Sequence, residues 1–205
     1  MYSKKTNLII GFHGCDESIC NAVINGEDLK PSLNSYDWLG NGIYFWEADP
    51  QRAFEWAIQA SKRTGSSVRT PAVIGAVIDL GNCLDLMNRK SVSVLQDGYE
   101  WLKASYELDG KEMPVNQNIS GNNDLLLRDL DCAVIQKIHE VTSNKELGLS
   151  LAPYDSVRGL FLEGSEAYEG SGFKTKTHVQ LCIINPNCIK GYFFPRELDK
   201  KYPTP

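Results

Sequence analysis

Metal-binding cysteine pairs are missing from this chain. Its six cysteines, Cys15, Cys20, Cys83, Cys132, Cys182 and Cys188, contain no C-x-x-C, and the three histidines complete no zinc spacing, so no metal site is expected. The pattern reads as reduced, mostly buried thiols; Cys132 and Cys182 sit in apolar runs where a small hydrophobe fits. A disulfide joining Cys15 to Cys20, or Cys182 to Cys188, stays open for an exported protein. Long apolar runs are also missing. None approaches the roughly 18 residues of a membrane span, and the opening Met1-Tyr2-Ser3-Lys4-Lys5, followed by a short apolar stretch, is unlike a cleavable signal. The expectation is a cytoplasmic protein without a membrane partner. A basic excess is absent too: 21 Lys and Arg face 26 Asp and Glu, for a net charge of -5. That balance argues against coating nucleic acid by bulk electrostatics, although a local basic patch can still engage phosphates. No internal repeat or low-complexity block appears.

What is present suits one α+β domain over residues 1–205. The 42% hydrophobic and 10% aromatic content is enough for one well-buried core and short for two. Residues 8–12 read as a buried strand, and Asp16 as the N-cap of a short helix with Ile19, Ala22 and Val23 inward and Gly26 as its stop. Residues 42–46 form a second, aromatic strand. Asp49-Pro50 is an N-cap with proline at the first helical position; the helix runs to about Arg63, with Ala53, Phe54, Ala57, Ile58 and Ala60 inward. Residues 71–80 read as a central strand ended by Gly81-Asn82. Ser91 is expected to cap a helix carrying Leu95, Tyr99, Leu102 and Tyr106 at helical spacing. Residues 109–123 read as a surface loop. Leu127, Leu130, Val134, Ile138 and Val141 mark another helix, with His139 one place off the stripe and so at a boundary or in solvent. The last third supplies strands at 156–163, 179–184 and 189–194. A flexible loop, 164–177, carries Tyr168, Phe173, Lys174 and Lys176.

Two motifs carry chemistry. Gly11-Phe12-His13-Gly14 ends the first strand, and Gly40-Asn41-Gly42-Ile43-Tyr44-Phe45 opens the second. Together they supply hydrogen-bonding backbone, an imidazole and a ring to stack on, the parts of a nicotinamide-ribose site. Further on, His178 and Gln180 point to one face of a strand beside the 164–177 loop.

This ordered set resembles the ADP-ribosyltransferases of the diphtheria-toxin and poly(ADP-ribose) polymerase type, which carry His, Tyr and Glu on three separated strands. The matching residues are His13, Tyr44 and Gln180. The resemblance follows the order of elements over nearly the whole chain, but its sharp motifs amount to about a dozen residues. It implies the split, two-sheet ADP-ribosyltransferase fold with peripheral helices, and NAD as co-substrate. It further implies that His13 bonds the adenosine ribose, that the Gly14 backbone holds the nicotinamide amide, and that Tyr44 stacks on the ring. Trp56 is the candidate for the other face, with a one-residue insertion relative to the family spacing. Such stacking is worth about 0.5–1.5 kcal/mol per aromatic pair beyond burial. The family's carboxamide-gripping serine falls near Ala53.

The largest departure is Gln180 in place of the family's glutamate. At an effective dielectric near 20, a charge about 4 Å from a developing cation matters by roughly 4 kcal/mol. Three outcomes stay open: an acceptor that needs no base, a charge from Glu163 or Glu166, or NAD binding without turnover; a structural, loop-anchoring role is an equal alternative for Glu163. His178 beside Gln180 is a further candidate base. The 164–177 loop, with Phe173, Lys174 and Lys176, stands where the family recognises its acceptor. The resemblance thus implies transfer of ADP-ribose to a protein or nucleic acid, by a bacterial toxin or phage-defence effector held by an antitoxin or immunity partner. The alternatives are a catalytically silent ADP-ribose- or NAD-binding module, a protein-interaction module, and an NAD glycohydrolase.

Overall fold

The computed structural model describes residues 8–118, 126–147 and 152–203. In chain order the elements are β1 (Ile9–Asp16), α1 (Glu17–Ile24), β2 (Ile43–Glu47), α2 (Pro50–Ser61), β3 (Pro71–Ile78), β4 (Cys83–Asp85), α3 (Arg89–Asp109), β5 (Asn116–Gln117), β6 (Leu127–Arg128), α4 (Asp129–Ser143), β7 (Ser156–Phe161), β8 (His178–Ile183) and β9 (Ile189–Phe193). Seven strands join in the order β4-β7-β8-β2-β1-β3-β9, and β5 and β6 form a separate two-stranded pair. Only β4 and β7 run parallel; the other neighbours in the large sheet are antiparallel. The result is a mixed α and β structure built on one large mixed sheet, with four α-helices among the described residues.

The expected division into two sheets is replaced by a continuous ladder with a narrow waist. β1 pairs with β3 along all eight of its residues, but with β2 only at Gly11–Glu47 and Phe12–Trp46. These two pairs and the bond from Ala48 N to Ile10 O join the strands, and the registered pairing stops at Phe12. Apolar residues cover both faces. Cys15, Phe45, Ile74, Ile78, Leu181 and Ile183 pack on one side with Cys20 and Val23 of α1. On the other, Leu84, Val157 and Cys182 meet Leu102 of α3 and Ile135 and Ile138 of α4. A smaller cluster on that second side, Phe12, Trp46 and Ala53, lies under α2.

Local signals set the helix ends. The Asp16 side chain caps α1 by accepting from Ser18 N, and Asp49 caps α2 by accepting from Arg52 N. Asn88, and not Ser91, caps α3, because it is Asn88 whose side chain accepts from Lys90 N; Gly110, at φ 64°, closes the helix. The loop expected from 109 holds β5, and Asn116 there accepts from Leu130 N and Asp131 N at the start of α4, supplying the cap that Arg128 does not. Residues 119–123 of that loop lie outside the described residues. The short strand β4 was not anticipated.

Two helix faces are rotated from expectation. In α1, Cys20 and Val23 are buried while Ile19 is exposed. In α2, Ala53, Ala57, Ala60 and Arg52 are buried, whereas Phe54 is 43% exposed. Close approach to β1 explains the second case: a Cβ on Gly14 would collide with the Ala53 carbonyl, so only small residues fit against the strand. His139 sits at a boundary, its ring edge on Tyr154, and burial draws its pKa down to about 4. All six cysteines are free thiols, and Cys15 and Cys20 meet at 3.3 Å between sulfurs.

Asp16 also ties α1 to the segment before β3. One carboxylate oxygen accepts from Ser18 N and Oγ, the other from Arg69 N and Thr70 N at 2.7 and 2.8 Å. These bonds, Ser18 first, hold its pKa well below the usual carboxylate range. A depressed folded pKa means that the stabilisation is complete above the unfolded value and is lost as pH falls through the folded one. Asp16→Asn is therefore expected to lower the melting temperature at pH 7, with the gap to wild type closing as the pH drops below about 4. Thermal unfolding across pH checks this; a gap independent of pH would contradict it.

Candidate active site

The strand order β8-β2-β1 brings Gln180, Tyr44 and His13 onto three adjacent strands. Their side chains do not all share a face. His13 lies opposite Ile74 and turns its ring edge to Phe45, on the α1 side of the sheet. Tyr44 packs in the other cluster, and Gln180, opposite Trp46 and Gly159, faces that same side. His13 and Tyr44 meet at the waist, where His13 Nδ1 lies 2.7 Å from the Tyr44 carbonyl oxygen. A carbonyl only accepts, so Nδ1 carries the proton and Nε2 is left with a lone pair. Burial lowers the His13 pKa, against the opposing effect of that hydrogen bond, and favours the neutral ring.

The same bond shapes the gap. Ala48 N donates to Ile10 O, so the peptide groups of Ile10, Phe12 and, by strand alternation, Gly14 point toward β2. Gly14 would pair next with Tyr44, yet pairing stops at Phe12 and the Tyr44 carbonyl is taken by His13. The Gly14 peptide group consequently faces the opened side of the ladder, with Ala53 of α2 pressed against its Cα.

Tyr44 is anchored by its hydroxyl, which donates to Gly40 O at 2.7 Å and accepts from Leu39 N at 2.9 Å. Burial pushes its pKa up, so it stays a phenol. Trp56 packs at the side of Trp46, with ring centroids 5.9 Å apart, in the cluster under α2 and not in the cluster that holds Tyr44. The Gln180 carboxamide is partly exposed and, among the described residues, makes no hydrogen bond.

The structure decides between expectations here. Glu163 does not present a carboxylate to the gap: it is buried, and Arg52 Nη2 holds its Oε2 at 2.6 Å. His178 is not offered to an acceptor either, because its side chain is fully enclosed between the rings of Trp46 and Phe161. Its Nδ1 donates to Lys176 O, and burial lowers its pKa. The 164–177 loop is a folded excursion whose main chain bonds itself through Ala167 N to Phe173 O, Thr175 N to Ser165 O and Lys176 N to Glu163 O. Phe173, 71% exposed, and Lys176 stand out from it, with Lys174 half-buried at the bridge to Glu166. Glu166 itself is exposed and accepts from Gly170 N.

Arg52 and Trp46 are the residues that sequence reading missed. Arg52, Glu163, His178 and Trp46 form one buried group, with the guanidinium 5.7 Å from the Trp46 ring. Trp46 Nε1, Arg52 Nε and Nη1, and His178 Nε2 are buried there without partners among the described residues. A charged side chain one place from Ala53 reads as solvated, and only the distant Glu163, 111 residues on, reveals otherwise. Among the described residues, no group of three His, Cys, Asp or Glu side chains could hold a metal.

Breaking the Arg52–Glu163 pair on one side leaves a buried charge unmatched. Glu163→Gln is expected to cost about 3–5 kcal/mol in urea unfolding, while the double change Arg52→Met with Glu163→Met recovers most of it. A Glu163→Gln protein of wild-type stability would show that the pair is not buried in solution.

No protein-family model matches this chain. An uncharacterised protein of Methanocaldococcus jannaschii, MJ0359, is 25% identical over 209 aligned positions, covering 92% of this chain and 89% of the relative. That similarity brings no activity with it.

Proposed function

We propose that this chain is an NAD-dependent mono-ADP-ribosyltransferase whose co-substrate enters at the waist of the sheet. The observation that carries the reading is the opening of the β1–β2 ladder at Gly14, where a peptide N–H and C=O face the gap. The N–H and C=O of this one residue point the same way along a strand and supply a donor and an acceptor, the complement of a carboxamide. Beside it the lone pair of His13 Nε2 suits a ribose hydroxyl, and the unengaged Gln180 carboxamide suits a second. The anchored hydroxyl of Tyr44 locks its ring orientation, which a stacking surface requires. NAD brings a glycosidic bond that breaks with nicotinamide leaving on the electron pair, while the ribose carbon bonds the acceptor's nucleophilic atom, whose proton passes to solvent.

The chain's own contribution is positioning, since Gln180 brings hydrogen bonds and no charge. A second reading, NAD binding without transfer, is favoured by that same neutrality together with the engagement of Glu163 by Arg52. The acceptor is a macromolecule, and a toxin or defence effector restrained by an inhibitory partner is the setting that this activity suits.

Incubation of the purified protein with NAD labelled in its adenylate half and a cell extract separates the readings, with the product divided among protease, DNase and RNase. Transfer predicts label that one digestion removes, and at least tenfold less of it with His13→Ala. Gln180→Glu is expected to release nicotinamide faster, on the order of tenfold or more, because it restores a charge beside the developing cation. NAD binding by calorimetry with neither label nor nicotinamide release, in wild type and Gln180→Glu alike, would establish the second reading. No binding at all would end both.

A further inference from the structure

A cavity lined by described residues lies away from the waist. It occupies about 860 Å³ between α3, α4 and the β7 side of the sheet. That volume suits a small molecule or one unit of a polymer. Its walls are apolar and aromatic, with Trp38, Leu95, Tyr99, Val134 and Phe161 among them. The Arg128 guanidinium, another lining group, lies 4.2 Å from the Trp38 ring centroid and 5.2 Å from that of Phe161, and reaches Asp131. Guanidinium planes and indole rings stacked in this way are surfaces on which flat heterocycles stack.

The charge pattern narrows the occupant. Asp97, Glu100 and Asp131 line the cavity, and Arg128 is the one basic residue among the described lining residues. Three carboxylates against one cation disfavour a phosphate inside. They accept hydrogen bonds instead, as carboxylates accept from the exocyclic amine of cytosine. We infer that this cavity is a binding site for an amino-bearing nucleobase, which stacks on the Trp38–Arg128 wall with its amine toward the acidic rim. Gly159 lies in the lining and opposite Gln180, so a base held here sits one strand from the proposed transfer site. The base belongs either to NAD itself or to a nucleic-acid strand.

The inference does not depend on the transferase reading, and binding alone tests it. Calorimetric titration with adenosine, cytidine and thymidine is expected to show binding of the first two, and of thymidine, which lacks the amine, at least tenfold more weakly. Asp97→Lys with Glu100→Lys should weaken adenosine by tenfold or more, and Val92→Trp should block it. All three positions are exposed, so thermal unfolding should match wild type. A competition arm identifies the source: NAD displaces adenosine if the base is its adenine, and a single-stranded oligonucleotide rich in dA and dC displaces it if the base is a strand's. The proposal is overturned by equal binding of thymidine, by rim variants that bind adenosine unchanged, by displacement by neither competitor, or by no nucleoside binding at millimolar concentration. Adenosine bound as expected by a protein that neither binds nor turns over NAD would sink the transferase reading and leave this one standing.

Discussion

The hydrogen bond from His13 Nδ1 to the Tyr44 carbonyl decides the character of the sheet. That carbonyl is where the next rung between β1 and β2 would form. With an imidazole there in place of the Gly14 amide, the two strands part after two pairs. The peptide group of Gly14 is left facing an opening inside an otherwise continuous ladder. An unpaired peptide group in a sheet interior costs free energy unless water or a ligand satisfies it. The sequence Gly-Phe-His-Gly thus encodes both the break and the groups that line it.

Packing on either side holds the break in place. Gly14 has no side chain, so α2 settles against β1 with the Ala53 carbonyl over the strand. Tyr44 is fixed by its hydroxyl to the turn that precedes β2. The Arg52–Glu163 pair then links α2 to the chain just beyond β7, on the far side of the waist. Such a pair adds little net stability but punishes misplacement, because either charge alone is costly in the interior. On this account it registers α2 against β7 and β8 across the gap, while the enclosed His178 fills the space between Trp46 and Phe161.

Elements whose signals are local were legible in the sequence. Asp16 and Asp49-Pro50 cap their helices, and the aromatic and β-branched runs form strands, because each depends on neighbours a few residues away. The face that a helix buries was less legible. Phe54 is the larger apolar residue, but contact with Gly14 selects alanines, and the rotation that places them inward exposes Phe54 and buries Arg52. Asn116 as the cap of α4, and β4 as a parallel neighbour of β7, depend on chain segments that come together only in the fold. The site followed the same rule. His13, Gly14, Tyr44 and Gln180 are candidates chosen from motif and order, and they fall on adjacent strands. For Glu163 the structural alternative fits and the auxiliary one does not, and His178 is enclosed, because their environment comes from Arg52, Trp46 and Phe161, none of them adjacent in sequence.

The central claim is that the Gly14 peptide group is an unpaired carboxamide receptor. Titration of uniformly ¹⁵N-labelled protein with nicotinamide, followed through the amide resonances of Gly14 and Phe12, tests it most directly. The account predicts a progressive downfield shift of the Gly14 amide proton as it gains an acceptor, and an almost unchanged Phe12, whose rung to Trp46 is already made. A Gly14 amide that is unmoved by nicotinamide and as protected from hydrogen exchange as Phe12 in the free protein would contradict it, because the ladder would then be closed.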